Sequence, residues 1–455
     1  MDQRSKIAIL GFGIEGRAVF EYLKKHGYHE LTVCDQNVDL KDKMPEGVSV
    51  RLGEKYLQDL DDFDVIFRSP GIKYLEPGIQ AALKNGVEVT SSTAYFLDQR
   101  PCPVVGVTGT KGKGTTCTLI FEMLKLAEID ARLGGNIGEP AINFLDKAKH
   151  DSVVVLELSS FQLQDIKKSP TYAVLLNTTS DHLDYHADSE EYMRAKENIL
   201  AHQKKDSIAI LNKDYEYVNY YLPLVKGLKR FVSVKDRVKE GAFVHEGQIF
   251  YAHKGKEEKI CDVTEVGLIG SHNLENVMPA LVVAKELGVS TKNIAKVIKG
   301  FKGLPHRLEF VKEVKGVKYY NDSFSTTPLT SMAAVDSFDA PTVLIAGGYE
   351  KELDYDDWAV KILTKPGLHT VVLIGDTAEK MEQAIISADE KLGDAEGSPT
   401  KVLRRKDLEE AVLEAYAQAE KGGVVVMSPA AASFDMFKNY KERGERFKEL
   451  VGKLR

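Results

Sequence analysis

PVVGVTGTKGKGTTCTLIFEMLK (residues 103–125) decides how the chain folds. An apolar run of strand type enters a glycine-rich turn, and the turn opens an amphipathic helix. Consecutive backbone N–H groups in such a turn point inward, and the helix N-terminus adds a dipole that favours anions. Lys113 supplies a mobile charge for the β- and γ-phosphates of a nucleotide. A hydroxyl at Thr115 or Thr116 can ligate magnesium. The usual pattern GxxxxGK[ST] is not met, because Lys113 precedes Gly114. A turn that merely needs glycine is the simpler reading. Gly109, Gly112 and Gly114, with Lys111, Lys113 and the hydroxyls of Thr110, Thr115 and Thr116, fill eight residues, and they favour a triphosphate loop.

Outward from this unit, short β-branched runs alternate with helical stretches. KIAILG (6–11), LTVCD (31–35) and DVIFRSPG (64–71) precede it. SVVVLEL (152–158), YAVLLN (172–177) and SIAILN (207–212) follow, and the pattern resumes at TVLIAGG (342–348), TVVLIG (370–375) and GGVVVMSP (422–429). Runs of five or six apolar residues between helices predict parallel sheets covered on both faces, so the fold class is α/β. Three blocks are expected, 1–93, 94–300 and 301–455. The first and last are Rossmann-like, and the middle one is a sheet of the P-loop ATPase type. Stretch 228–268 alternates weakly and reads as a small β excursion.

Composition narrows the function classes. At 455 residues the chain needs more than one core. Its formal net charge of -7 disfavours a nucleic-acid partner. Cys34, Cys102, Cys117 and Cys261 show no metal-type spacing, which fits a reducing compartment. The start lacks a signal-peptide pattern and no run approaches a membrane span, so a cytoplasmic protein is expected.

Further polar clusters fall at predicted strand ends, where open α/β sheets bind ligands. GFGIEG (11–16) matches GxGxxG after a strand, and Asp35 closes the next one. This pattern suits a dinucleotide, another nucleotide's diphosphate, or a plain tight turn. SPGI (69–72) follows a third strand. Glu157 ends one central strand, and Asp181, His182 and Asp184 follow another, a set that suits a hard cation on phosphate oxygens. Lys196, on the next helix, reads from pattern alone as a surface lysine. In the last block Asp322 with Ser323, Ser325, Thr326 and Thr327, then Lys351 and Ser433, are each by themselves loop or cap features.

Together these motifs resemble the Mur ligase family over nearly the whole chain. They run in order as GFGIEG, SPGI, GTKGKGTT, GGNIG, ELSSFQL, DHLDYH, the helix with Lys196, GSHNLEN, LPHR, NDSFSTTP, GGYEK and SPAAASFDMFKNY. The resemblance implies an ATP- and Mg2+-dependent ligase that joins D-glutamate to UDP-N-acetylmuramoyl-L-alanine through an acyl phosphate, and a monomer is expected. It implies ATP contacts at Gly109, Thr110, Lys111, Gly112, Lys113, Gly114, Thr115, Asn136, Asn273, Asn276, His306, Arg307 and Asp322. Thr115, Glu157, His182 and Lys196 would hold magnesium, Lys196 as a carbamate, which overrides the surface reading. Lys113, Glu157, His182 and Lys196 form the implied catalytic set. The uridine substrate would meet Gly13, Ile14, Glu15, Asp35, Gln36, Asn37, Ser69 and Gly71, and the amino acid Thr326, Lys351, Ser433 and Tyr440.

Three positions depart from the pattern. Lys111 stands where asparagine is usual, and with Gly114 this makes the loop more like that of folylpolyglutamate synthases. Phe324 occupies a frequent lysine position, and Tyr440 a frequent phenylalanine. A folate-type ligase is therefore the nearest alternative, although it does not need the GFGIEG block. A nicotinamide-dependent oxidoreductase would use GFGIEG and Asp35 but leaves Lys113, Glu157 and His182 unexplained. A non-catalytic nucleotide-binding module leaves the polar set without a purpose.

Overall fold

The computed structural model describes residues 1–455 except 46–47, 179–184, 186–187, 269, 271–272 and 393–399, and the side chain of Asp42. The chain forms two compact units. One holds Met1–Val266 and Ser271–Gly300, the other Gly267–Gly270 and Phe301–Arg455.

The first unit contains two sheets. Strands β1 (Ile7–Leu10), β2 (Leu31–Asp35), β3 (Ser49–Leu52), β4 (Val65–Arg68) and β5 (Glu88–Thr90) form a parallel sheet of order β3-β2-β1-β4-β5. The chain crosses from β3 over to β4, so β1 and β4 flank a switch point at their carboxyl ends. GFGIEG leaves β1 there and SPGI leaves β4, and the Ser69 hydroxyl donates to the Gly11 carbonyl at 2.8 Å. Burial on both faces explains the unbroken apolar runs: Ile7, Ile9 and Val33 pack on one face, Ala8, Leu10 and Ile66 on the other.

The second sheet is built from β6 (Val104–Thr108), β7 (Ala131–Gly135), β8 (Val153–Glu157), β9 (Tyr172–Leu175), β10 (Ile208–Asn212), β11 (Leu228–Ser233), β12 (Gly241–His245), β13 (Gln248–His253) and β14 (Lys256–Asp262). Their order is β14-β13-β12-β11-β10-β9-β6-β8-β7. Stretch 228–268 forms β strands within the middle block, as expected, and these lengthen the central sheet. Strands β11 and β12 continue it in parallel, then β13 and β14 turn antiparallel. Those reversals are two-residue hairpins at Glu246-Gly247 and Lys254-Gly255, with all four residues at positive φ. Such mirror-image turns match the twist of antiparallel strands and need glycine.

The second unit holds β15 (Glu309–Val314), β16 (Val317–Asn321), β17 (Thr342–Gly347), β18 (Leu368–Ile374), β19 (Lys401–Arg404) and β20 (Val424–Met427), in the order β15-β16-β20-β17-β18-β19. All pairs are parallel except β15 with β16, joined by a third hairpin at Lys315-Gly316. The sheet is therefore mixed at one edge. Among the described residues no helix is long and apolar enough to cross a membrane.

Candidate active site

The phosphate loop sits between β6 and the helix Lys113–Leu126, at the carboxyl edge of the central sheet. Gly112 precedes the helix at φ +85°, and a Cβ there would lie 2.0 Å from Asn276 Oδ1. Only glycine fits that position. Lys113 Nζ donates to the carbonyls of Gly109 (3.0 Å) and Thr110 (2.9 Å), so its amine curls over the loop. Thr116 is buried and its hydroxyl donates to the Asn276 carbonyl at 3.3 Å. That leaves Thr115, which is partly exposed, as the hydroxyl available to a metal. Gly114 is buried in the first helical turn, and Lys111 is exposed. Thr110 Oγ1 is hydrogen-bonded to Tyr192 Oη at 3.0 Å.

Glu157 ends β8 beside β6, with Val107 opposite it. Its Oε1 accepts from Asn136 Nδ2 at 2.7 Å, whereas Oε2 is buried with no hydrogen-bond partner. A buried carboxylate oxygen without a partner is costly. This donor set, an open carboxylate oxygen beside a phosphate loop and a threonine hydroxyl, fits a hard cation. Among the described residues no cluster of three His, Cys, Asp or Glu side chains forms a metal site. His182, Asp181 and Asp184 lie outside the described residues.

Lys196 overturns the surface reading of the pattern. It lies on the helix Ser189–Ala201 and is 1% exposed. Its Nζ lies 3.4 Å from the Gly109 carbonyl, 3.5 Å from Thr108 Oγ1, and 4.3 Å from the centre of the Tyr192 ring. The helix buries Tyr192, Ala195, Lys196, Ile199 and Leu200, a spacing of three and four that marks one face. Lys196 falls inside that stripe, and this phase was the signal by which the sequence could have placed it.

At the first sheet, a Cβ on Gly16 would lie 1.9 Å from the Gly11 carbonyl, so helix and turn pack closely. The Asp35 carboxylate accepts from the backbone amides of Phe12 (2.6 Å) and Asn37 (2.8 Å), which ties the turn to the end of β2. Asn37 in turn accepts from the Asp39 amide. Glu15 accepts from Gln162 at 2.8 Å, and burial raises its pKa. Its Oε2 is buried without a partner. Ile14, Gln36 and Gly71 are exposed, Gly13 likewise, and Ser69 is half-buried.

This edge also holds a feature that motif reading missed. Arg68, 1% exposed, forms a fully buried ion pair with Asp165 at 2.8 Å. It also donates to the carbonyls of Ile72 (2.6 Å) and Phe161 (2.7 Å) and to Tyr185 Oη (3.1 Å). Ser91 donates to the other Asp165 oxygen at 2.9 Å. One guanidinium thereby joins SPGI, ELSSFQL and Tyr185.

Of the remaining expected ATP contacts, Asn276 donates to Asn273 Oδ1 at 2.9 Å in the first unit. His306, Arg307 and Asp322 belong to the second. His306 sits at φ +64° and its Nδ1 accepts from Asn321 at 2.9 Å. Burial lowers its pKa. The Arg307 guanidinium stacks 3.7 Å from the Phe324 ring centre, so the unusual Phe324 serves as a platform for a cation. Asp322 is buried and accepts from Ser428 Oγ (2.7 Å) and the Leu308 amide (3.1 Å). Burial pushes its pKa up to about 6.

In the same unit Lys351 is exposed, with its Nζ 5.3 Å from the Phe434 ring centre. Ser433 is buried, Thr326 half-buried, and the Tyr440 ring meets Phe324 edge-on at 5.1 Å.

Comparison with known proteins agrees with this geometry. Three family models match in sequence: Mur ligase MurD-like, N-terminal domain (residues 5–91), Mur ligase middle domain (107–284) and Mur ligase, glutamate ligase domain (306–431). UDP-N-acetylmuramoylalanine--D-glutamate ligase of Acetivibrio thermocellus is 39% identical, over 99% of this chain and 97% of its own. The Clostridium tetani protein of that name is 37% identical over the same shares. Among solved structures, MurF ligase from Thermotoga maritima in complex with ADP has a TM-score of 0.58 at 19% identity, covering 99% of this chain and 96% of that one. The UDP-N-acetylmuramate-alanine ligase MurC of Thermotoga maritima gives 0.57 at 18% identity, with 99% of each chain covered. At that identity the likeness speaks for the fold. A phosphate loop, an open carboxylate beside it, the matching models along the chain and full-length relatives lead to one conclusion: the chain belongs to the Mur ligase family.

Proposed function

We propose that this chain uses ATP to add D-glutamate to UDP-N-acetylmuramoyl-L-alanine in peptidoglycan precursor synthesis, in the cytoplasm and as a monomer. The observation that carries the reading is the loop holding Lys113 and Thr115 beside Glu157, whose Oε2 is buried without a partner. The names of the full-length relatives supply the substrates. In this reading residues 1–93 receive the uridine nucleotide, 94–300 the ATP phosphates, and 301–455 the amino acid.

In this reading the reaction has two steps. The acceptor carboxylate attacks the γ-phosphorus, ADP leaves, and an acyl phosphate results. The amine of D-glutamate then attacks the acyl carbon, an amide C–N bond forms, and phosphate departs as the amine loses a proton. Such catalysis rests on alignment and charge stabilisation. Lys113 would meet the β- and γ-phosphates. Thr115, Glu157, His182 and a carbamylated Lys196 are the proposed magnesium holders, and a magnesium ion would neutralise phosphate oxygens. Lys113 and Lys196 both bring Nζ to the Gly109 carbonyl. A carbamate on Lys196 would thus lie close to the phosphate loop.

The test is phosphate release with ATP, magnesium, the uridine acceptor and one amino acid at a time. Turnover is expected with D-glutamate and not with L-glutamate, L-alanine or L-lysine. Equal rates with L-glutamate, or turnover on a folate acceptor, would overturn the substrate assignment.

A further inference from the structure

Arg443 is the most deeply buried guanidinium in the second unit, at 0% exposure, and no expected site residue accounts for it. It projects from the C-terminal helix Tyr440–Lys453. Its partners are neutral: Nε donates to Ser323 Oγ, Nη1 to the Ala432 carbonyl, and Nη2 to the carbonyls of Ser323 and Ala431, each at 3.0 Å. Among the described residues no carboxylate lies within ion-pair distance; burial pulls its pKa down to about 10, and the carboxylates of Asp435 and Asp322 act on it from farther off in the opposite sense. A buried cation without an anion in direct contact is expensive, and an apolar side chain would hold a helix to a sheet at lower cost. The fork therefore has a use other than packing.

That use is legible in what the fork touches. Ser323 lies three residues before Thr326, and its hydroxyl donates to the Tyr440 carbonyl at 2.7 Å. Ala432 immediately precedes Ser433. A Cβ on Gly348, three residues before Lys351, would come within 3.0 Å of Nη1 and 2.1 Å of the Ala432 carbonyl, so the GGYEK turn closes directly over the guanidinium. The Tyr349 amide also donates to the Ala432 carbonyl at 2.9 Å. The three loops that carry Thr326, Lys351 and Ser433, and the helix that carries Tyr440, all meet at this one side chain.

We propose that Arg443 is a positioning residue for the amino-acid site: its planar fork sets the spacing of the loops bearing Thr326, Lys351 and Ser433. The inference rests on the assignment of those loops to the amino acid. Asp435 and Asp322 balance the charge from a distance, and the directional bonds of the fork hold the loops. Lysine supplies the charge but not the fork, and glutamine supplies hydrogen bonds but no charge.

The experiment is steady-state kinetics of Arg443→Lys and Arg443→Gln in the full chain, varying ATP, the uridine acceptor and D-glutamate in turn. Arg443→Gln is expected to raise KM for D-glutamate at least tenfold, with both other KM values within twofold of the parent. Arg443→Lys is expected to raise the D-glutamate KM less than Arg443→Gln does. A role in folding alone would lower the active fraction, and hence kcat, and would leave every KM unchanged. That outcome in the variant that retains the parent's circular dichroism spectrum overturns the proposal, as does an equal rise in all three KM values. Parent turnover with D-glutamate tests the functional reading separately. If the parent takes another amino acid, the same KM ratios are read with that one.

Discussion

At the scale of single residues, burial reverses what side-chain type alone suggests. Lys196 is 1% exposed, on the buried face of its helix with its Nζ beside the phosphate loop. Lys196→Ala is expected to lose about 10- to 100-fold in activity, as losses around metal sites do. Added acetate should restore part of it. Lys196→Arg should stay inactive with or without acetate, and full activity in that variant would refute the carbamate. Asp322 makes a prediction about pH. Burial raises its carboxyl from 3.8 to about 6, so between those values the unfolded chain loses the proton first and stability falls as pH rises. The contribution is complete below pH 4 and gone above pH 6. Asp322→Asn keeps an acceptor for the Leu308 amide and has no such titration. Its stability relative to the parent should therefore rise from pH 4 to pH 6.5, by on the order of 1–3 kcal/mol. Denaturant unfolding followed through Trp358, which is fully buried in the same unit, measures it. A flat difference across that range would mean that Asp322 does not hold its proton.

At the scale of elements, the turn and helix at 109–126 are held against the helix Leu274–Glu286 by a close approach at Gly112. Gly112→Ala meets two penalties, the left-handed backbone of about 1–2 kcal/mol and a collision with Asn276 Oδ1. The expected result is a KM for ATP raised tenfold or more. Gly86→Ala is the control: it has φ +89° and nothing within 4 Å of the added methyl, so it bears the backbone strain alone. That variant should melt earlier and keep its kinetic constants. An unchanged KM in Gly112→Ala would show that the loop tolerates displacement. The elements themselves were largely legible, because parallel strands buried on both faces read as apolar runs. The antiparallel strands β14 and β15 were not among those runs, since only Ile260, Cys261 and Val314 in them are buried, yet the Glu-Gly and Lys-Gly turns beside them were visible signals.

At the scale of the molecule, the first unit depends on one buried ion pair. Removing Asp165 leaves Arg68 charged and buried, at a cost of about 3–5 kcal/mol. Asp165→Ala should lower the denaturant midpoint seen by circular dichroism, which reports both units. The transition of Trp358, the single tryptophan of the chain and part of the second unit, should move much less. Equal shifts by both probes would mean that the chain unfolds as one cooperative body.

The sequence by itself determined the class of fold, the phosphate loop and the order of motifs, because strand periodicity and glycine turns are local properties. Spacing alone suggested that Glu157 stands beside that loop, since both end strands of one sheet. Only the tertiary structure decided which polar groups lose their water. It put Lys196 in the interior, committed Thr116 to a neighbouring helix and left Thr115 available, and paired Arg68 with Asp165 across 97 residues of chain. It also buried Arg443 in a helix that reads as a run of charge, where only the phase shared with Phe447, Leu450 and Val451 betrays it. Desolvation and pairing depend on contacts between distant segments, and no local pattern encodes them.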